Sequence, residues 1–167
     1  MQRRRFLRIG AFGTAGMLLA LARPRQAGAA PATEALLLSC MDYRLVDDIE
    51  RYMSGRNLAD KYDHVILAGA SLGAIAEKFP AWRTTFWEHL EIAIALHHIP
   101  KVIVMDHRDC GAYKVMLGTD HLKDRATETA AHAAQLRALR LQIQQRHPKL
   151  DVELLLMGLD GTVETVA

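Results

Sequence analysis

Four short apolar runs punctuate the chain, each too brief for a helix and too continuous for a strand with one wet face. Ala35 to Ser39 (Ala-Leu-Leu-Leu-Ser), His64 to Ala68, Lys101 to Met105 and Asp151 to Met157 therefore predict strands buried on both faces. Between them the pattern changes to a helical one. Leu45 to Met53 predicts a short helix. Over Trp82 to His98, the residues Phe86, Leu90, Ala93, Ile94 and His97 recur on one helical face. Thr127 to His147 is rich in alanine and leucine, keeps Leu136, Leu139 and Ile143 in register, and stops at Pro148. Strands alternating with helices predict an α/β fold, a parallel-core β-sheet flanked by helices. In such sheets functional groups gather beyond the carboxyl ends of the strands. Those places hold Cys40-Met41-Asp42-Tyr43-Arg44, Gly69-Ala70-Ser71 and Asp106-His107-Arg108-Asp109-Cys110.

The first residues have a different pattern. Gln2 to Arg8 reads Gln-Arg-Arg-Arg-Phe-Leu-Arg and leads into an apolar run from Ile9 to Ala22. That run is too short to cross about 30 Å of hydrocarbon as a helix. It is followed by Ala27-Gly28-Ala29, a small-x-small cleavage pattern, and by Pro31. Residues 1–29 are therefore expected to be a signal peptide, and residues 30–167 the mature domain, with no stable membrane span. The paired arginines before Phe6-Leu7 resemble a twin-arginine signal, which implies export of a folded protein to the bacterial periplasm.

Charge changes once this segment is set apart. The 167 residues carry a formal net charge of +2, but the six arginines before position 30 face no acid at all. Without them the chain has 15 basic and 19 acidic residues, a net of −4, which argues against nucleic acid as a partner. Half the residues are hydrophobic, so disordered and collagen-like classes are excluded. Two cysteines are too few for a disulfide-dense scaffold or a four-cysteine zinc site.

The same two cysteines each fall just past a predicted strand. Together with His107, Cys40 and Cys110 would make a Cys₂His set that leaves the fourth position of a tetrahedral zinc open, the catalytic rather than the structural arrangement. Spacing alone leaves other readings open: inert buried thiols, a disulfide, or a His107 that assists a nucleophile or is a polar loop residue. Gly69-Ala70-Ser71-Leu72-Gly73 also fits the nucleophile elbow of serine hydrolases. That fold needs a histidine after a late strand, and none follows Pro148. Ser71 is expected to be a loop residue between two turn-forming glycines. His97 and His98 are expected to close a helix, and His89 and His132 to sit on a helix surface or core edge. Phe86, Trp82 and Trp87 are expected to pack or to form a subunit interface, and Glu128, Asp47 and Asp48 to lie on solvated faces.

Cys-x-Asp-x-Arg at Cys40, Asp42 and Arg44, followed by His-x-x-Cys-Gly at His107, Cys110 and Gly111, resembles the β-class carbonic anhydrases. Leu159-Asp160-Gly161-Thr162-Val163 resembles that family's closing turn, so the likeness spans roughly residues 35 to 163. It implies a β-carbonic-anhydrase-like fold in which Cys40, His107 and Cys110 hold one Zn²⁺ per chain and Asp42 and Arg44 form a catalytic dyad. It further implies reversible hydration of CO₂ to bicarbonate and a proton by zinc-bound hydroxide, in a homodimer or higher homo-oligomer. Departures from the family lie nearby: Ile66-Leu67-Ala68-Gly69 where Arg-Asn-Ala-Gly is common, Tyr43 for a small residue, and Arg108 for a small polar one. A more apolar entrance would suit carbonyl sulfide or carbon disulfide on the same zinc site, and a non-catalytic zinc-binding or assembly protein is the remaining alternative.

Overall fold

The computed structural model describes residues 33–167. The signal peptide expected over residues 1–29 lies outside them. Five strands form one sheet: β1 (Ala35–Ser39), β2 (Tyr62–Ile66), β3 (Lys101–His107), β4 (Asp151–Met157) and β5 (Val163–Thr165), in the order β2-β1-β3-β4-β5. The first four run parallel. Leu38 pairs with Val65 on one side and Val104 on the other, which makes β1 a central strand. β1 and β4 have the bounds their apolar runs predict.

Alternation along these strands divides the core in two. Leu36, Leu38, Val102 and Val104 point into one cluster, and Leu37, Ile103, Met105 and Leu155 into the other. The helices α3 (Pro80–Ile92) and α5 (Arg125–Arg146) cover the first side with Phe86, Leu90, Leu136, Leu139 and Ile143. The second side is covered by α1 (Val46–Gly55) through Ile49 and Met53. Each fully buried aliphatic side chain contributes about 1.5–3 kcal/mol.

The structure departs from the sequence reading at short or local features. β2 begins two residues before the expected His64 because an edge strand tolerates polar residues, so Tyr62 and Asp63 pair with Ala35 and Leu36. It ends at Ile66, and Gly69 (φ 78) then turns the chain. The helix expected over Trp82 to His98 is α-helical only to Ile92. It widens into a π turn at Ala93–His97 and stops at His98, a left-handed residue (φ 53). α5 starts at Arg125 because the Asp124 carboxylate caps it, accepting the Thr127 N–H at 2.7 Å. Two helices, α2 (Ser71–Ile75) and α4 (Gly111–Leu117), are too short to show a period. The parallel core is as expected; β5, which the apolar runs did not predict, follows a turn at Gly158–Thr162 and pairs antiparallel with β4 at one edge.

Candidate metal centre

Parallel pairing of β1 and β3 brings their carboxyl ends together, with Ser39 opposite Met105. Cys40 is the next residue after β1, His107 is the last of β3, and Cys110 caps α4. One donor atom from each of the three lies within 4.8 Å of the others. The sulfurs are 3.9 Å apart, and both cysteines are free thiols in this structure.

His107 is oriented for ligation. Its Nδ1–H donates to the Arg108 carbonyl at 2.8 Å, which leaves the Nε2 lone pair facing the sulfurs. That Nε2 is buried and has no hydrogen-bond partner. An orphaned ring nitrogen beside two thiols fits a soft divalent metal such as zinc better than any protein donor does.

The thiols are unequal. Hydrogen bonding from Cys110 pulls Cys40 down to about 4, with help from His107 and from the Gly69 N–H at 3.3 Å. Cys110 moves the other way, raised by the Cys40 sulfur and by burial. Burial opposes a charge on His107, but the adjacent Cys40 outweighs it and raises the imidazole. Cys40 is thus the thiol whose surroundings favour the thiolate.

The glycines of Gly69-Ala70-Ser71-Leu72-Gly73 serve this sulfur rather than a nucleophile. Gly69, at positive φ, aims its N–H at Cys40 Sγ. A Cβ at Gly73 would sit 2.4 Å from the Ala68 carbonyl oxygen, so only glycine lets α2 close in. Ser71 is fully buried at the start of α2, not a loop residue: its Oγ donates to Asp106 at 2.7 Å.

Asp42 lies beside the ligand set, its Oδ2 3.8 Å from His107 Nε2. Arg44 grips it side-on, with Nε 2.9 Å from Oδ1 and a terminal nitrogen 2.8 Å from Oδ2. Asp42 also caps the 3-10 turn Tyr43–Leu45, accepting the Arg44 N–H at 3.1 Å. These contacts with Arg44 hold its carboxyl down at about 2. The second carboxylate on Arg44, Asp109, escaped the sequence reading: it accepts 3.0 Å at Oδ2 and 3.2 Å at its carbonyl.

Further expectations are corrected. Arg108 does not narrow the entrance. It turns away into a nearly buried ion cluster, with Glu128 at 3.1 Å, Thr129 at 2.9 Å and Glu164 at 3.0 Å. Glu128 is accordingly buried rather than solvated, and its second oxygen accepts the Asp109 N–H at 2.6 Å. His132 is likewise fully buried and bonds Asp106 at 3.0 Å. Leu67 belongs to the core, whereas Tyr43, 85% exposed, does line the entrance. There a cavity of about 360 Å³ opens on Cys40 and Asp42, walled by Met41, Phe79, Trp82, Val115 and Met116. Phe79 and Trp82 stack with centroids 4.1 Å apart.

A family model described as “Putative carbonic anhydrase” matches residues 30–167. An uncharacterized protein of Rickettsia conorii is 44% identical over 131 residues, covering 78% of this chain and 70% of its own. An uncharacterized protein of Rickettsia bellii is 41% identical over 131 residues, covering 78% and 80%. Among solved structures, a carbonic anhydrase from Glaciozyma antarctica superposes with a TM-score of 0.54 at 15% identity, covering 84% of this chain and 87% of that one. A β-carbonic anhydrase from Trichomonas vaginalis does so with 0.54 at 14% identity, covering 83% and 85%. At such identities these structures establish the shared fold.

Proposed function

Because this chain belongs to the family described as “Putative carbonic anhydrase”, we propose that it reversibly hydrates CO₂ to bicarbonate and a proton with one zinc per chain. The observation that carries the proposal is the convergence of Cys40, His107 and Cys110 around an orphaned imidazole nitrogen, with Asp42 beside it. Cys40, His107 and Cys110 would hold the metal. Bound zinc would act as a Lewis acid that lowers the pKa of water toward about 7, a figure that belongs to carbonic anhydrases as a class.

The remaining work falls to the chain's own groups. Asp42, kept ionised by Arg44, offers Oδ2 as a hydrogen-bond acceptor that orients the attacking water. The apolar walls of the cavity favour an uncharged substrate over ions. Stopped-flow hydration with a pH indicator, on protein of measured zinc content, is expected to show turnover above the uncatalysed rate. Zinc-loaded protein without turnover would overturn the reading.

A second reading, hydrolysis of carbonyl sulfide or carbon disulfide on the same site, is favoured by the Phe79–Trp82 and Met116 lining. Measuring the three substrates side by side decides between them. A non-catalytic zinc-binding or assembly role predicts zinc-loaded protein with no turnover of any of the three, and a measured activity unchanged in Asp42→Ala would show that the Asp42–Arg44 pair is not catalytic.

We also propose a homodimer, supported by exposed Val46 and Ile66 at edge strand β2, and tested by sedimentation in an analytical ultracentrifuge. Periplasmic export is proposed from the arginine-rich start. A twin-lysine replacement, Arg4→Lys with Arg5→Lys, should then retain the protein in the cytoplasm.

A further inference from the structure

The Arg44 guanidinium lies between two carboxylates, not beside one. Asp42 takes Nε and one terminal nitrogen at 2.9 and 2.8 Å, while Asp109 takes the terminal nitrogens at 3.0 Å through Oδ2 and 3.2 Å through its carbonyl. Asp109 stands between His107 and Cys110 in the left-handed region (φ 55), a conformation uncommon outside glycine but open to aspartate, and one that its surroundings here reinforce. Three partners do so. Glu128 accepts its N–H at 2.6 Å, Lys114 binds Oδ1, and Arg44 engages Oδ2 and the carbonyl.

We infer that Asp109 is a positioning residue that moors Arg44 beside the ligand set independently of Asp42. The inference rests on the reading of Asp42 as the carboxylate facing the metal. Asp42 Oδ2 lies 3.8 Å from His107 Nε2, at the edge of the position an ion held by Cys40, His107 and Cys110 would take, so a bound metal would give it somewhere to turn. An arginine tethered by that carboxylate alone would regain its rotamer freedom whenever Asp42 turned. Moored by Asp109, Arg44 stays where Asp42 can rebind it. The left-handed turn between the two ligands thus couples the placement of Cys110 and His107 to that of the guanidinium.

The test reads Arg44 directly rather than turnover. Zinc-loaded wild type, Asp42→Ala, Asp109→Asn and the double variant are treated with phenylglyoxal, and modification is mapped by mass spectrometry. Asparagine keeps the left-handed conformation accessible, so Asp109→Asn preserves the turn. Arg137, remote from the site and bonded to the Ala167 carbonyl, reports general loosening. Arg44 is expected to stay largely protected in Asp42→Ala and to react roughly tenfold faster in the double variant, the size of one charge-assisted contact. Full exposure of Arg44 in Asp42→Ala alone, or an equal rise at Arg137, would overturn the inference. Absence of zinc from the wild-type protein would instead overturn the metal reading, since Arg44 protection is measured without turnover.

Discussion

Asp42 and Asp106 are both carboxylates saturated with hydrogen bonds, at the ends of neighbouring strands, yet they are built in opposite ways. Asp106 collects donors from three helices: the Ser71 N–H at 3.0 Å and Oγ at 2.7 Å from α2, Tyr113 at 2.5 Å from α4, and His132 at 3.0 Å from α5. Its side chain is wholly excluded from solvent. Burial beside Asp106 also pushes the Tyr113 phenol well above its ordinary range, so it remains a donor. Asp42 draws on one residue two positions away, and its side chain keeps 14% of its surface exposed. A carboxylate held by remote elements locks those elements together. One held by a single near neighbour can be released without disturbing the fold.

Substitutions should separate these two roles. The largest effect is expected from Asp106→Ala, which strands four buried donors and should lower stability by about 3–5 kcal/mol in urea unfolding. A loss below about 1 kcal/mol would mean that water enters and the cluster is not sealed. Next, Asp42→Ala should reduce turnover roughly 10²-fold while unfolding shifts by only about 1 kcal/mol, the value of a cap and a half-exposed ion pair. Tyr113→Phe removes one of four donors to Asp106 and should cost about 1–2 kcal/mol with zinc content unchanged.

The smallest effect is one of pH. Asp42 is depressed to about 2 in the folded chain, against about 3.9 when unfolded. Its contribution is therefore present above pH ~4 and fades as pH falls through about 2. The gap in urea midpoint between wild type and Asp42→Asn should be constant above pH ~5 and close on that descent. A gap that persists at the acid end would show that Arg44 is not its source.

Much of this was readable in the chain. The leucine run of β1 and the bounds of β4 follow from continuous burial, and the meeting of Cys40, His107 and Cys110 from residues placed at or just past strand ends. Asp109 and Glu128 were not readable as site residues, because one acts through a left-handed backbone and the other through a partner on a distant helix. Arg108 misled because adjacency to His107 suggests a shared site, whereas successive residues of an extended chain point to opposite faces. The register shows the rule. Asp106 and Arg108, two apart, meet His132 and Glu128, four apart on α5. That match of a period of two to a helical turn marks a structural seam. It becomes visible only once β3 and α5 are placed side by side.

The two sulfurs, 70 positions apart, carry one more consequence. A metal joining them ties off a long stretch of chain, including β2 and α3, in the manner of a cross-link. Such a tie forms only after β1 has found β3, since neither strand alone presents the full donor set. Loading of such a metal would thus be a late event in the chain's history, a seal on a sheet already assembled. Its benefit should show as slower unfolding rather than faster folding.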